Sequence, residues 1–233
     1  MRPPAAVLLG AALAAAAVLP SPAQPAGAAP VETQATVSYQ FDRIGMTVPH
    51  FTLQIREDGT GSYQADPAGA VSSGGAVDVS AGKHVDRPIT LTPPTVTKIF
   101  QGARAADHFN LVCNSKAKNI ADTGKKTLSY AGPDGKGSCI YNYSENKNIM
   151  MLTDTFSAIA FTLDEGRRLE FLHRYDRLGL DAEMTALSDQ VKIGSAIELG
   201  LIEPTLTSIA NDTALIQRVR LRAAKLVEES KSN

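Results

Sequence analysis

The densest set of side chains able to do chemistry runs from residue 167 to 183. It comprises Arg167-Arg168, Glu170, His173-Arg174, Asp176-Arg177 and, past a glycine turn, Asp181 and Glu183. On a helix Glu170, His173 and Arg174 share a face, and His173 and Asp176 form an i,i+3 pair. A histidine held by a carboxylate is the smallest unit of general-base catalysis. His173 and Asp176 are therefore the candidate catalytic residues. The same charges also make a salt-bridged, solvated helix, and no nucleophile or oxyanion donor can be named beside them. The nucleophile-elbow pattern G-x-S-x-G is missing from the chain.

Other patterns carry less. Gly124-Lys125-Lys126-Thr127 suggests a phosphate loop, but Asn119 stands where the first glycine is required and no hydroxyl residue follows the first lysine. Glycines 132, 135 and 137 connect strand to strand and lack the helix N-terminus that would hold a pyrophosphate. His50, His84, His108 and His173 are scattered, without zinc spacing, so no metal and no cofactor is expected. Arg218, Arg220, Arg222 and Lys225 near the C-terminus could meet an acidic partner; they also suit the solvated end of a helix, where the dipole favours cations. The formal charge of −1 over 233 residues provides no global field for nucleic acid or an anionic membrane. Tryptophan, on which many glycan sites stack sugars, is absent.

The N-terminus speaks of compartment. One basic residue, Arg2, precedes an uncharged apolar run from Ala5 to Leu19, which yields to Pro20-Ser21-Pro22 and a stretch of small residues. That order is a secretory signal peptide, cleaved after Ala28 or Ala23. The run falls short of the roughly 20 apolar residues of a membrane span, so no span is expected after cleavage. Cys113 and Cys139 are the two cysteines, and in an oxidising compartment an even count favours a bridge. Both sit in strand-like runs, Phe109–Cys113 and Ser138–Tyr141, with Phe109, Leu111, Tyr141 and Tyr143 sharing their parity.

The elements that must position these residues read as α+β. Val37, Tyr39 and Phe41 alternate with polar residues, as do Phe51, Leu53 and Ile55, which end at Asp58-Gly59, a strong hairpin signal. A Gly/Ala/Ser-rich surface loop spans Asp66 to Asp86; Pro88–Leu91 is a short strand; Pro93-Pro94 opens a helix to about Ala106. A second hairpin covers Lys126–Tyr143. Beyond Glu145 the spacing of Ile149, Leu152, Phe156, Ile159 and Leu163 is helical. Past Gly166 the phase slips: length favours one helix interrupted there, and the alternation of Leu169, Phe171, His173 and Tyr175 also allows a strand. Gly179 ends that element, Asp181 can cap the next, and two helices, about Ser195–Ala210 and Thr213–Glu229, close the chain.

This last pair carries Ile202-Glu203-Pro204, Leu206, Ile209, Ala210 and Asp212, then Val219-Arg220, Ala223-Ala224 and Leu226. It resembles a single HEAT-type helical hairpin, while two ordinary amphipathic helices closing the fold are the preferred reading. A solenoid needs about three stacked units, and no second copy lies upstream. The expected organisation is a signal peptide at 1–28, a β-rich region at 29–145 and a helical region at 146–233, the last two able to form one compact domain. The expected function is an exported, periplasmic or secreted, non-enzymatic binding or scaffold protein of the bacterial envelope, its partner a protein or envelope component. The alternatives are a hydrolase using His173 and Asp176, and an inhibitor-like module presenting the Ala65–Val85 loop.

Overall fold

Alternation along Thr36–Asp42 sends Val37 and Tyr39 into a core and leaves Gln40 exposed. The computed structural model describes residues 34–68 and 82–232. Within them β1 (Thr36–Asp42), β2 (His50–Arg56), β3 (Thr60–Asp66), β4 (Val85–Thr90), β5 (Lys125–Gly132) and β6 (Gly135–Tyr141) form one sheet ordered β4-β3-β2-β1-β5-β6. Every neighbouring pair is antiparallel. The expected signal peptide with its cleavage points, and residues 69–81 of the expected loop, lie outside the described residues. The flanks of that loop are strand: Asp66 closes β3 and Val85 opens β4.

One face of the sheet is covered by α1 (Pro93–Ala105) and the first half of α2 (Lys147–Tyr175). Prolines occupy the first turn of α1, where a missing N–H costs nothing. The Asn146 side chain caps α2 by accepting from the amides of Asn148 and Ile149. Tyr39 of β1 stacks on Phe156 of α2 with ring centroids 5.3 Å apart, and Ile149, Leu152, Ile159 and Leu163 complete this core. Arg104 of α1 joins the two hairpin ends, reaching Glu57 at 2.8 Å and Asp134 at 2.7 Å.

The helix expected to break at Gly166 runs through it unbroken for 29 residues. The phase slip has another cause. Up to Leu163 the helix is buried against the sheet; Leu169 and Leu172, on the far side of its cylinder, are buried in a second core. That core is built by α3 (Leu180–Lys192), α4 (Glu203–Asn211) and α5 (Gln217–Ser232), with Met184, Leu187, Leu206, Ile209, Val219 and Ala223 inside it. Gly166 is kept small by its neighbour, since a Cβ there would collide with Ile202. The architecture is α+β, and all the described residues fall in one compact unit.

The two cores are tied by residues 197–202. Glu198, held in the left-handed region at φ 59°, accepts hydrogen bonds from the amide and hydroxyl of Thr92 at 2.9 and 2.6 Å and so caps the sheet-side helix α1. Arg87 of β4 donates to the Leu201 carbonyl at 2.9 Å, and Thr162 of α2 donates to that of Ile197 at 2.7 Å. This strap replaces the first half of the single helix expected over Ser195–Ala210. Pro204 sits in the first turn of α4, the place in a helix that proline tolerates. Two further expectations change here. Gly179, not Asp181, is the N-cap of α3, and Asp181 instead pairs with Arg218 and Arg222 of α5 at 2.7 and 3.1 Å. Cys113 lies in a loop and not in a strand.

That loop begins with three successive left-handed residues, Asp107, His108 and Phe109. They turn the chain off α1 and lay it along β6, the edge strand. Gly137 is required beneath, because a Cβ there would strike the His108 carbonyl. Cys113 then bonds to Cys139 of β6, with Cα atoms 5.8 Å apart and both side chains buried, while Tyr143, expected inside, stays 39% exposed. Replacing both cysteines by serine should lower unfolding free energy by a few kcal/mol at most with the sheet intact at low temperature. Chemical denaturation followed by circular dichroism reads this, and two free thiols in protein recovered without reductant would rule the bridge out.

Candidate functional site

His173 and Asp176, the expected pair, do not meet. Asp176 is the C-cap of α2, its Oδ1 accepting from the Gly179 amide at 3.4 Å. His173 Nε2 instead lies 2.9 Å from Oδ2 of Asp212, which follows α4. Asp212 also receives Arg177 at 3.5 Å and the Ala214 amide at 2.9 Å, and the His173 hydrogen bond, ahead of these, holds its carboxyl below the usual range. Position 212 is 39 residues from 173, so no local spacing announces the pair; only the packing of α4 on α2 creates it.

The dyad opens on a cleft of about 830 Å³ between the last turns of α2 and the outer face of α4. Lys83, Arg174, Arg177, Glu170, Thr205 and Ser208 share its wall. Glu170 is occupied by the Thr205 hydroxyl at 3.1 Å. Arg174 lies over the Tyr175 ring at 5.9 Å, a weak cation–π contact. Among the described residues neither Arg174 nor Lys83 has a carboxylate partner. No hydroxyl among the described residues hydrogen-bonds the imidazole of His173, so the dyad has no serine or threonine nucleophile in place.

The rest of the polar cluster is structural. Arg167 pairs with Asp164 at 3.1 Å and Arg168 with Glu183 at 2.8 Å. Arg218 and Arg222 both pair with the single carboxylate of Asp181, and Lys225 faces Glu229 at 3.6 Å, which engages three of the four basic residues of the α5 patch. The discarded phosphate loop has a structural use. Lys126 is buried, and its ammonium donates to Thr123, Gly124 and Asn142 carbonyls and to the Thr123 hydroxyl at 2.8–3.0 Å. Each histidine sits against an aspartate: His50 on Asp42, His84 on Asp66, His108 on Asp134 and His173 on Asp212. Among the described residues no three His, Cys, Asp or Glu side chains gather into a metal-binding group. Comparison with protein-family models and with curated proteins gives no match.

One buried acid went unnoticed in the sequence, where it sits beside Asp164 and Gly166 in a stretch that reads as a polar break. Glu165 of α2 is 6% exposed and faces Glu183 of α3, and its Oε2 has no partner. Burial first, then the hydrogen bond and charge of Glu183, push its carboxyl up to about 8, with Arg168 opposing and Asp164 assisting. The folded chain thus keeps a proton that the unfolded chain releases near pH 4.5. Stability from this group is complete below that value and is lost as pH rises toward 8. Glu165→Gln should remove that slope and stabilise the fold at pH 8 by on the order of a few kcal/mol. Unfolding curves at pH 5 and pH 8 for both proteins test this; parallel pH dependence would refute it.

Proposed function

We propose that the protein is exported, with residues 1–28 or 1–23 removed, and acts in the bacterial envelope or outside the cell as a non-enzymatic binding protein for a small anion. The observation that carries the binding reading is the cleft at the end of α2, where Arg174 and Lys83 lack carboxylate partners among the described residues. A cation left without a counter-charge in a concave site is a ready partner for an anionic group. The apolar run at the N-terminus and the Cys113–Cys139 bridge support export.

The hydrolase reading rests on one observation, the His173–Asp212 hydrogen bond at the cleft wall. With imidazole donating to Asp212, the other ring nitrogen could take a proton from water. Among the described residues no hydroxyl is hydrogen-bonded to the imidazole, so no activated nucleophile supports hydrolysis, and binding is the better-supported function.

Calorimetric titration of the mature protein with inorganic phosphate and with acetate should give saturable, salt-sensitive binding. Arg174→Ala should weaken it about tenfold, as for a hydrogen bond to a charged group. Asp212→Asn, which releases Arg177 and His173, should strengthen it. Absent binding, or binding indifferent to Arg174→Ala combined with Lys83→Ala, would overturn the assignment. Ester hydrolysis abolished by His173→Ala would favour the hydrolase.

Mass spectrometry of protein recovered outside the cytoplasm should show a chain beginning at Gln24 or Ala29. An intact Met1 terminus in the membrane fraction would contradict export.

A further inference from the structure

Beside the cleft lies a second, more enclosed cavity of about 210 Å³, under β3 and β4. Arg167 and Glu170 belong to the walls of both, so the two spaces adjoin along one turn of α2. The inner cavity is walled by Tyr63, Ala65, Pro67, Val85 and Leu163. Four charged residues complete the lining: Arg167 pairs with Asp164 at 3.1 Å, Arg87 donates to the Leu201 carbonyl at 2.9 Å, and Glu170 accepts from Thr205. Tyr63 is 3% exposed, and its hydroxyl is pushed well above its usual pKa by burial, the sign of a dry wall. What the inner cavity adds for a ligand is the apolar surface of Ala65, Pro67, Val85 and Leu163, its two basic and two acidic residues being equal in number; what the outer cleft offers is Arg174 and Lys83.

We propose that the ligand is a small amphiphilic anion, with a carboxylate or phosphate head in the outer cleft and a short apolar tail in the inner cavity. The proposal rests on the binding function assigned to the cleft and adds the class of ligand. A concave site with an apolar wall and a few placed charges is the usual form of a small-molecule site. The cationic walls of the cleft select the head by charge. The volume of the inner cavity limits the tail: a short alkyl or single-ring group fits, and a multi-ring or long-chain lipid does not.

The test titrates the mature protein with two series, acetate to butanoate to hexanoate, and inorganic phosphate to butyl and hexyl phosphate, with hexylamine as the control of opposite charge. Each methylene taken into the inner cavity should tighten binding about fourfold. Hexanoate should shift the methyl resonances of Val85 and Leu163, whereas acetate should not. Val85→Phe, on the half-buried edge strand, should cancel the chain-length gain and leave acetate binding unchanged. Protein folding of that variant is checked by its circular dichroism, and the wild-type methyl shifts stand without it. A length gain in either series supports the proposal, and the tighter series identifies the head. Acetate and hexanoate binding equally, with no methyl shifts, would overturn the tail while the anion cleft survived. Hexylamine binding as tightly as hexanoate would overturn the head. Binding by none of the anions would remove the cleft assignment and this proposal with it.

Discussion

Everything in the second half of the molecule depends on how closely the strap at residues 197–202 can approach α2. Gly166 permits that approach, because any larger side chain would displace Ile202. With Ile202 seated, Leu201 receives Arg87, Ile197 receives Thr162, and Glu198 reaches Thr92 at the head of α1. Holding Glu198 in the left-handed region costs on the order of 1–2 kcal/mol. Two hydrogen bonds to a carboxylate, each about 1.5–3 kcal/mol, offset it. One glycine inside a 29-residue helix is unfavourable by roughly 1 kcal/mol in propensity, and here the contact made at its surface joins two hydrophobic cores.

The position of the cleft follows from that junction. α2 buries one side against the sheet and, in its last turns, Leu169 and Leu172 against α3, α4 and α5, while the polar side of those turns borders the cleft. There His173, Arg174 and Arg177 stand beside α4 and near the edge of the sheet at Lys83. A helix serving a single core would have turned these residues to open solvent. The adjoining inner cavity lies between β3, β4 and α2, near the strap residue Leu201 that Arg87 contacts.

What could be read from the residues was local. Alternation placed β1 and β2, the Asp58-Gly59 signal placed the turn that leads into β3, prolines placed the start of α1, and the stripe from Ile149 to Leu163 placed the first half of α2. What escaped was decided by contacts between distant segments. The slip after Leu163 signals a change of burial partner, which a period alone cannot distinguish from a break. Cys113 follows apolar residues like a strand, yet the left-handed turn at Asp107–Phe109 lays it across an edge, and nothing in Asp-His-Phe demands that conformation. Glu198 reads as an ordinary helical residue until Thr92 is placed 106 positions away. Half of the site was legible, since His173 and its neighbouring arginines were singled out; its carboxylate was not, because Asp176 satisfies helix spacing while Asp212 satisfies the fold.

Charge matching gives the remaining cations their meaning. Arg104 holds two acids, Arg222 and Arg218 share Asp181, Arg168 answers Glu183, and Lys126 is enclosed by carbonyls. Exposed pairs of this kind stabilise by little, typically under 1 kcal/mol, so their number says less about stability than about field. Charges at the surface are screened beyond a Debye length of about 8–10 Å, so what acts on a ligand in the cleft is the set of charges that line it. Arg174 and Lys83 face one concavity without a carboxylate partner among the described residues, and Asp212, in the same wall, is taken by His173 and Arg177. Changing those charges alters the cleft without touching either core, which makes the site separable from the fold that builds it.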